Sequence, residues 1–286
     1  MPSTRDIRRR IKSVRNTAQI TKAMQMVASS KMQRAQQSAV QGRPFAAMTR
    51  RLLEHLSDET RDYQDPMMEV RPVRKRGVIV VSTDKGLCGA LNSNLFREAA
   101  KFDPASTLFI SVGRKAAQFL ARTRRKLAGE FTYHDTPTFS ECQTVAFFAR
   151  DLFLKAEVDE VLVLYTRFIN TLSQRPDTVT LLPMAPSEPA SKPGAEPARQ
   201  RYDFIFEPDP QTLMERLLIY FLDFQVAQVL LEAKASEHSA RMVAMKNATD
   251  NAKQLVKELT LEYNKIRQAT ITKELLEISS AAMALG

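Results

Sequence analysis

Residues 5–41 read RDIRRRIKSVRNTAQITKAMQMVASSKMQRAQQSAVQ, with no proline and no glycine. Residues 211–285 form a second such stretch, opened by Pro208 and Pro210. Proline and glycine are the residues that end helices, so both stretches predict long helices. In the first, a four-three spacing runs Ile7, Ile11, Val14, Ala18, Thr21, Gln25, Ala28, Met32, Ala35, Ala39. That heptad register calls for a coiled-coil partner. Ile20, Met24 and Val27 form a second stripe beside it, enough for a further neighbour. In the other helix the seam runs Leu217, Phe221, Phe224, Gln228, Leu231, Ala235, His238, Met242, Met245, Thr249, Ala252, Val256, Leu259, Tyr263, Ile266. Its large apolar residues cluster at the start, where packing on a domain is expected. Past Ile266 it decays to Thr270, Lys273, Glu277 and Ser280. Each helix is the other's natural partner.

The ends of these helices carry their own signals. Ser3 or Thr4 can cap the first, and Asp6 suits the positive end of its dipole. Gly42 and Pro44 are expected to end or kink it, with a second helical stretch over 45–59 and a polar linker over 60–76. A 39-residue first helix (3–41) leaves the 75-residue second one (211–285) 36 residues longer. That excess must project alone or pack on something else.

Between the helices the period changes. GVIVVS (77–82), TLFISV (107–112) and EVLVLYT (160–166) are buried-strand signatures. Helical patterns lie between them, at 92–102, 114–122 and 140–156. Strand–helix alternation predicts a parallel α/β sheet of Rossmann-like kind. TVTLL (178–182) and YDFIF (202–206) predict an antiparallel edge or hairpin. The loop between them, 183–199, has prolines at 183, 186, 189, 193 and 197 and is expected to be mobile. The domain reading is therefore 1–59 helical, 60–76 linker, 77–207 α/β, 208–286 helical.

Charge is unevenly placed. Residues 1–51 hold twelve Lys/Arg against one acid, Asp6, a segment charge of +11. With +10 overall, the rest sums to −1. Such a helix needs an anionic partner or strong solvation. Cys88 and Cys142 make no disulfide framework and fit a reducing compartment. The N-terminus has no apolar core of a signal peptide. The most apolar stretch, 213–231, is broken by Glu215, Arg216 and Asp223, too charged to span a bilayer.

Catalytic chemistry has little purchase. DKGLCGALN (84–92) follows a strand and opens a helix, where α/β proteins bind phosphates, but it fits neither phosphate-loop nor dinucleotide fingerprints. A tight turn using Gly86 and Gly89, with Asn92 as helix cap, is the simpler reading. Cys88 lacks a recognisable His partner among His55, His134 and His238. No Cys/His cluster has metal-ligand spacing. The run Arg122, Arg124, Arg125, Lys126 reads as a solvated helix end.

Four stretches nevertheless carry a resemblance. IRRRIKSVRNT (7–17) with ITKAMQMVASSKM (20–32), the turn DKGLCGALN (84–92), ARMVAMKNATDNA (240–252) and EYNKIRQATITKELLEI (262–278) resemble the gamma subunit of F-type ATP synthases, in order and spacing. Residues 113–207 match in pattern only. The resemblance implies an antiparallel coiled coil of the terminal helices, flanking a Rossmann-like α/β domain. It implies a central rotor shaft inside a ring of three alpha and three beta subunits, with the α/β domain as a foot touching the epsilon subunit and the ring of c subunits. This chain would hold no cofactor, metal or catalytic residue. It would bind no nucleic acid, and would meet the membrane only through the membrane sector.

By the family match, Arg241, Arg267, Gln268, Thr270 and Thr272 are candidate contacts with the alpha/beta ring, with Met24 opposite them. Arg8, Arg9 and Lys12 are weaker candidates. Gly86, Leu87, Cys88 and Gly89 match a structural turn of the foot. A bacterial enzyme on the cytoplasmic face of the plasma membrane is the implied location. The chargeless end ISSAAMALG (278–286) would suit a low-friction tip. Two other readings compete. A basic coiled-coil protein binding nucleic acid would put strongly salt-dependent binding in residues 1–51, but no aromatic residue precedes Phe45. An α/β enzyme with a helical arm would bind a ligand at 84–92.

Overall fold

The computed structural model describes residues 3–59, 65–184, 207 and 209–285. The strand expected at 202–206, residues 185–199 of the proline-rich loop and the final Gly286 lie outside the described residues. The chain divides into two compact units, Met1–Ser29 with Arg241–Gly286, and Ser30–Ala240. The long helices are α1 (Thr4–Glu59) and α5 (Pro210–Leu285).

α1 does not end at Gly42. It continues through Gly42 and Pro44 to Glu59, a single run of 56 residues. Proline inside a helix costs about 3 kcal/mol. Packing offsets that cost. A side chain at Gly42 would begin 3.2 Å from Phe224 Cζ, so the glycine lets the helix approach α5 closely. One turn on, the Phe45 ring lies 5.2 Å from that of Phe224. With α5 at 76 residues, the difference between the helices is 20 residues, where the sequence reading expected 36.

The unit Ser30–Ala240 is built on a five-stranded sheet. Its strands are β1 (Arg76–Val81), β2 (Thr107–Val112), β3 (Leu127–Phe131), β4 (Glu160–Phe168) and β5 (Gln174–Leu182), in the order β3-β2-β1-β4-β5. β1, β2, β3 and β4 are parallel, and β5 closes the edge antiparallel to β4. The other helices are α2 (Leu91–Ala99), α3 (Arg114–Arg122) and α4 (Phe139–Leu154). Strand period two splits the core cleanly. Val78 and Val80 join Phe109, Leu162 and Leu164 under α2 and α3. Ile79 and Val81 join Ile110, Val112, Val161 and Val163 on the face covered by α4 and the first part of α5. Both faces are buried, which is why these strands read as continuous apolar runs.

β3 was not anticipated. Its sequence, LAGEF, neither alternates nor runs apolar, and its register with β2 shifts between Phe109 and Ile110. Nor is the described part of the expected linker, 65–76, free of structure. Pro66–Met68 forms a 3-10 turn capped by Asp65, whose Oδ1 accepts from Met67 N at 2.7 Å, and Met67 is buried. Arg71 then donates to Phe153 O at 3.0 Å and stacks over the Phe153 ring. Arg125 is no solvated helix end either: it donates to Phe102 O (2.9 Å) and Ala100 O (3.0 Å) and lies over Phe109.

One buried carboxyl faces α4. Asp223 of α5 is 5% exposed and accepts from Gln143 Nε2 at 3.2 Å. Burial pushes its carboxyl up from the ordinary value, against the Gln143 hydrogen bond and the Arg150 charge. A raised carboxyl favours the fold while protonated, and that contribution is lost as pH rises through its folded value. Asp223→Asn is therefore expected to raise the unfolding temperature at pH 7, with the gain vanishing near pH 3. Thermal melts at the two pH values check this; a lower melting temperature at pH 7 contradicts it. Cys142, in the same interface, is pushed up by burial to about 12 and stays a thiol.

Candidate functional site

In the unit Met1–Ser29 with Arg241–Gly286, two contacts set the helix pairing. Arg8 Nη2 donates to Tyr263 Oη at 2.7 Å and its guanidinium lies 5.5 Å from the ring centre. Thr21 Oγ1 and Thr249 Oγ1 lie 2.7 Å apart. Moving forward along α1 moves backward along α5, so the pair is antiparallel. Each threonine hydroxyl has one proton but two acceptors in reach: Ala18 O is 3.1 Å from Thr21 Oγ1, and Met245 O is 2.8 Å from Thr249 Oγ1. One hydroxyl therefore bonds its own helix while the other donates across. This fixes register at a seam position too small to fix it by volume. Around it Ile7, Ala28, Met245, Ala252 and Leu259 are buried, all on the expected seam. The second stripe divides: Ile20 and Val27 are more than half exposed, and Met24 is half-buried.

This register locates the candidate contact residues. Met24 stands level with about Lys246, so it is not opposite residues 267–272. Those lie roughly 30–40 Å further along α5, at 1.5 Å per residue. They are level with the first residues of α1 or before them, which explains why Arg267, Gln268, Thr270 and Thr272 are all exposed. Thr270 and Thr272 each turn their hydroxyl back, donating to Ile266 O and Gln268 O at 2.9 Å. Arg241 is half-buried. Arg8 is committed to Tyr263 and Arg9 pairs with Asp6 at 3.4 Å, while Lys12 is exposed. Residues 267–280 are exposed throughout, Ile271, Leu275, Leu276 and Ile278 included.

The turn after β1 is held from within. Asn92 is not the helix cap; Ala90 occupies that position without a side-chain bond. Instead Asn92 Nδ2 donates to Thr83 Oγ1 at 2.7 Å and to Cys88 Sγ at 3.5 Å, tying the two ends of the turn. Positive φ falls at Leu87 (64°) and Gly89 (60°). Cys88 is buried, whereas Gly86, Leu87 and Gly89 are exposed. The neighbouring helix start is filled by the protein's own acceptors. Asp84 Oδ1 accepts from Arg114 N (3.0 Å), Thr83 O from Lys115 N (3.1 Å) and Ser82 Oγ from Ala116 N (2.7 Å). A carboxylate thus stands where a bound phosphate would sit at the start of α3.

Two histidines have partners that the sequence reading did not find. His134 Nδ1 lies 2.6 Å from Glu141 Oε1, beside the capping box of α4. His238 Nε2 lies 3.6 Å from Asp135 Oδ1. The side chain of His55 is outside the described residues. Among the described residues no helix is long and apolar enough to cross a membrane.

Comparison with known proteins agrees with this geometry. A family model described as ATP synthase matches residues 3–285. The ATP synthase gamma chain of Opitutus terrae is 48% identical, over 99% of each chain. That of Methylacidiphilum infernorum is 44% identical over the full length of both. Among solved structures, the central stalk/c-ring of Tetrahymena thermophila mitochondrial ATP synthase aligns with a TM-score of 0.63 at 27% identity, covering 80% of this chain and 99% of that one. The rotor of the Euglena gracilis mitochondrial enzyme shares the fold, with a TM-score of 0.67 at 21% identity over 94% and 98% of the two chains. With the family model matching residues 3–285 and two relatives 44–48% identical over essentially their whole length, the chain belongs to the ATP synthase gamma-chain family.

Proposed function

We propose that this chain is the central shaft of a rotary ATP synthase, coupling ion flow through a membrane sector to ATP synthesis or hydrolysis in a ring of alpha and beta subunits. The full-length match to bacterial gamma chains carries the reading. The chain itself is non-catalytic. Its organisation is a helical segment 1–59, a linker 60–76, a foot 77–207 and a helical segment 208–286. The foot meets the epsilon subunit and the c ring, which holds the chain peripherally on the cytoplasmic face of a bacterial plasma membrane.

A shaft couples by differential binding. Its contacts favour a different conformation in each of three catalytic subunits, and turning it exchanges those preferences. Met24, Arg241, Arg267, Gln268, Thr270 and Thr272 are the contacts proposed here, with Arg8, Arg9 and Lys12 as lesser ones. The exposed apolar residues of α5 beyond Ile266 support a sleeve around them, since bare apolar surface of this kind marks an interface. The turn 86–89 is structural.

The chain is expected to co-purify with alpha and beta subunits in the fixed three-to-three-to-one ratio of the family's assembly, and to restore ATP-driven ion pumping to gamma-depleted membranes. Absence of both results refutes the reading. Met24→Lys, off the heptad seam, is expected to lower pumping per ATP more than it lowers thermal stability. Equal losses would mark Met24 as packing alone.

A further inference from the structure

Within the unit Ser30–Ala240, one carboxylate receives cations from both long helices. Asp135 lies in the connection between β3 and α4. Its Oδ2 is ion-paired with Lys31 Nζ of α1. Its Oδ1 lies 4.0 Å from Lys234 Nζ and 3.6 Å from His238 Nε2, both of α5. Lys234 is 1% exposed. It also pairs with Glu237 Oε2 at 3.1 Å and stands 4.2 Å over the ring of Tyr133, two residues before Asp135. Tyr133 in turn donates to Ser82 O, at the end of β1, at 3.4 Å. Cations from α1 and α5 thus converge on one loop, which is tied to the end of β1 through Tyr133.

Charge is an odd choice for packing helices onto a sheet. An apolar contact of the same volume holds as well, and desolvating a lysine costs several kcal/mol. What ion pairs add is direction. Apolar attraction is itself non-directional, and resists a small slide or rotation only as far as side chains interdigitate. An ion pair with fixed donors is directional. A part that must turn with another needs its azimuth fixed, and this cluster fixes both helices to one point of the sheet domain.

We propose that Asp135, acting through Lys31 and Lys234, is the torque-bearing lock between the α/β domain and the two helices, a positioning residue for coupled rotation. The inference rests on the rotor reading. Its test is the holoenzyme in sealed membrane vesicles, read as ATP-driven ion uptake per ATP hydrolysed, with and without an opposing ion gradient. Asp135→Ala is expected to keep the ATPase rate of assembled complexes and to lose at least half of the uptake ratio under the opposing gradient, with a smaller loss without it. Asp135→Glu is expected to restore the ratio.

A residue of merely structural weight would lower the yield of assembled complex and leave the ratio per complex unmoved, which would overturn the proposal. If Asp135→Ala does not assemble, Lys31→Met, at a half-exposed position, carries the same expectation and the same contrary outcome. Failure of the wild-type chain to assemble would overturn the proposed function and this inference with it. A normal wild type with an unchanged variant ratio overturns this inference alone.

Discussion

Gly113→Ala is expected to cost about 2–6 kcal/mol, a large part of the ordinary stability of a domain. Gly113 precedes α3 at φ 101° and ψ 143°, a region that glycine alone occupies without strain. Strain there costs about 1–3 kcal/mol. The new Cβ would also sit 2.3 Å from Ser82 O, a backbone atom at the end of β1 that cannot rotate away. Ser82 Oγ already accepts from Ala116 N, so moving it would break the start of α3 as well. Overpacking of this kind adds about 1–3 kcal/mol. Gly86→Ala is the control: no atom lies within 4 Å of its added Cβ, and a change under about 0.5 kcal/mol is expected. Urea unfolding followed by circular dichroism distinguishes the two. Equal midpoints for both variants would contradict the account.

Lys234→Ala is expected to cost about 3–5 kcal/mol, the range for removing one partner of a buried ion pair. The side chains of Lys234 and Glu237 are 2% and 5% exposed, so water cannot replace the lost ammonium. The cation over Tyr133 is lost too. Removing both charges together, as Lys234→Met with Glu237→Met, is expected to recover a large part of the loss, because apolar side chains of similar volume replace a desolvated ion pair at little net cost. A double variant as unstable as the single one would show that packing, not charge, accounts for the effect. Asp135 adds a pH signature. Burial pushes its carboxyl up, but the hydrogen bond from Lys31 and the charges of Lys31, Lys234 and His238 bring it below the ordinary value. A lowered carboxyl stabilises the fold above its unfolded value of about 3.9 and loses that contribution as pH falls through its folded value.

Elements whose faces are decided by local pattern were legible in the chain. β2 and α3 fall where TLFISV and RKAAQFLAR place them, the first a short run buried on both faces and the second apolar at helical spacing. The heptad seam of α1 was legible for the same reason: apolar side chains every three and four residues have one way to be buried. Where a distant partner decides, local pattern fails. Gly42 and Pro44 read as a stop or a kink, and the helix runs through them where Gly42 and Phe45 pack on Phe224. β3 is a strand because β2 offers it an edge, not because LAGEF prefers one. Arg125 looked solvated until Phe102 O, Ala100 O and the Phe109 ring were brought to it.

The candidate contacts divide similarly. Family likeness singled out Met24 and residues 267–272, and it grouped them as facing one another. The Thr21–Thr249 and Arg8–Tyr263 pairs, invisible in one dimension, separate them along α5. The cluster on Asp135 was out of reach for a plainer reason. Lys31, Asp135 and Lys234 are each about 100 residues from the next, and neither Asp135 nor Lys234 belongs to a motif.

A shaft of this kind turns inside its partners. Ala105, an exposed residue of the α/β domain, offers a site for Ala105→Cys and a bead or dipole label. With the alpha/beta ring fixed to a surface, addition of ATP is predicted to drive the label round in one direction, pausing three times per turn. Complexes that hydrolyse ATP while the label stays fixed, or only fluctuates without direction, would contradict the account.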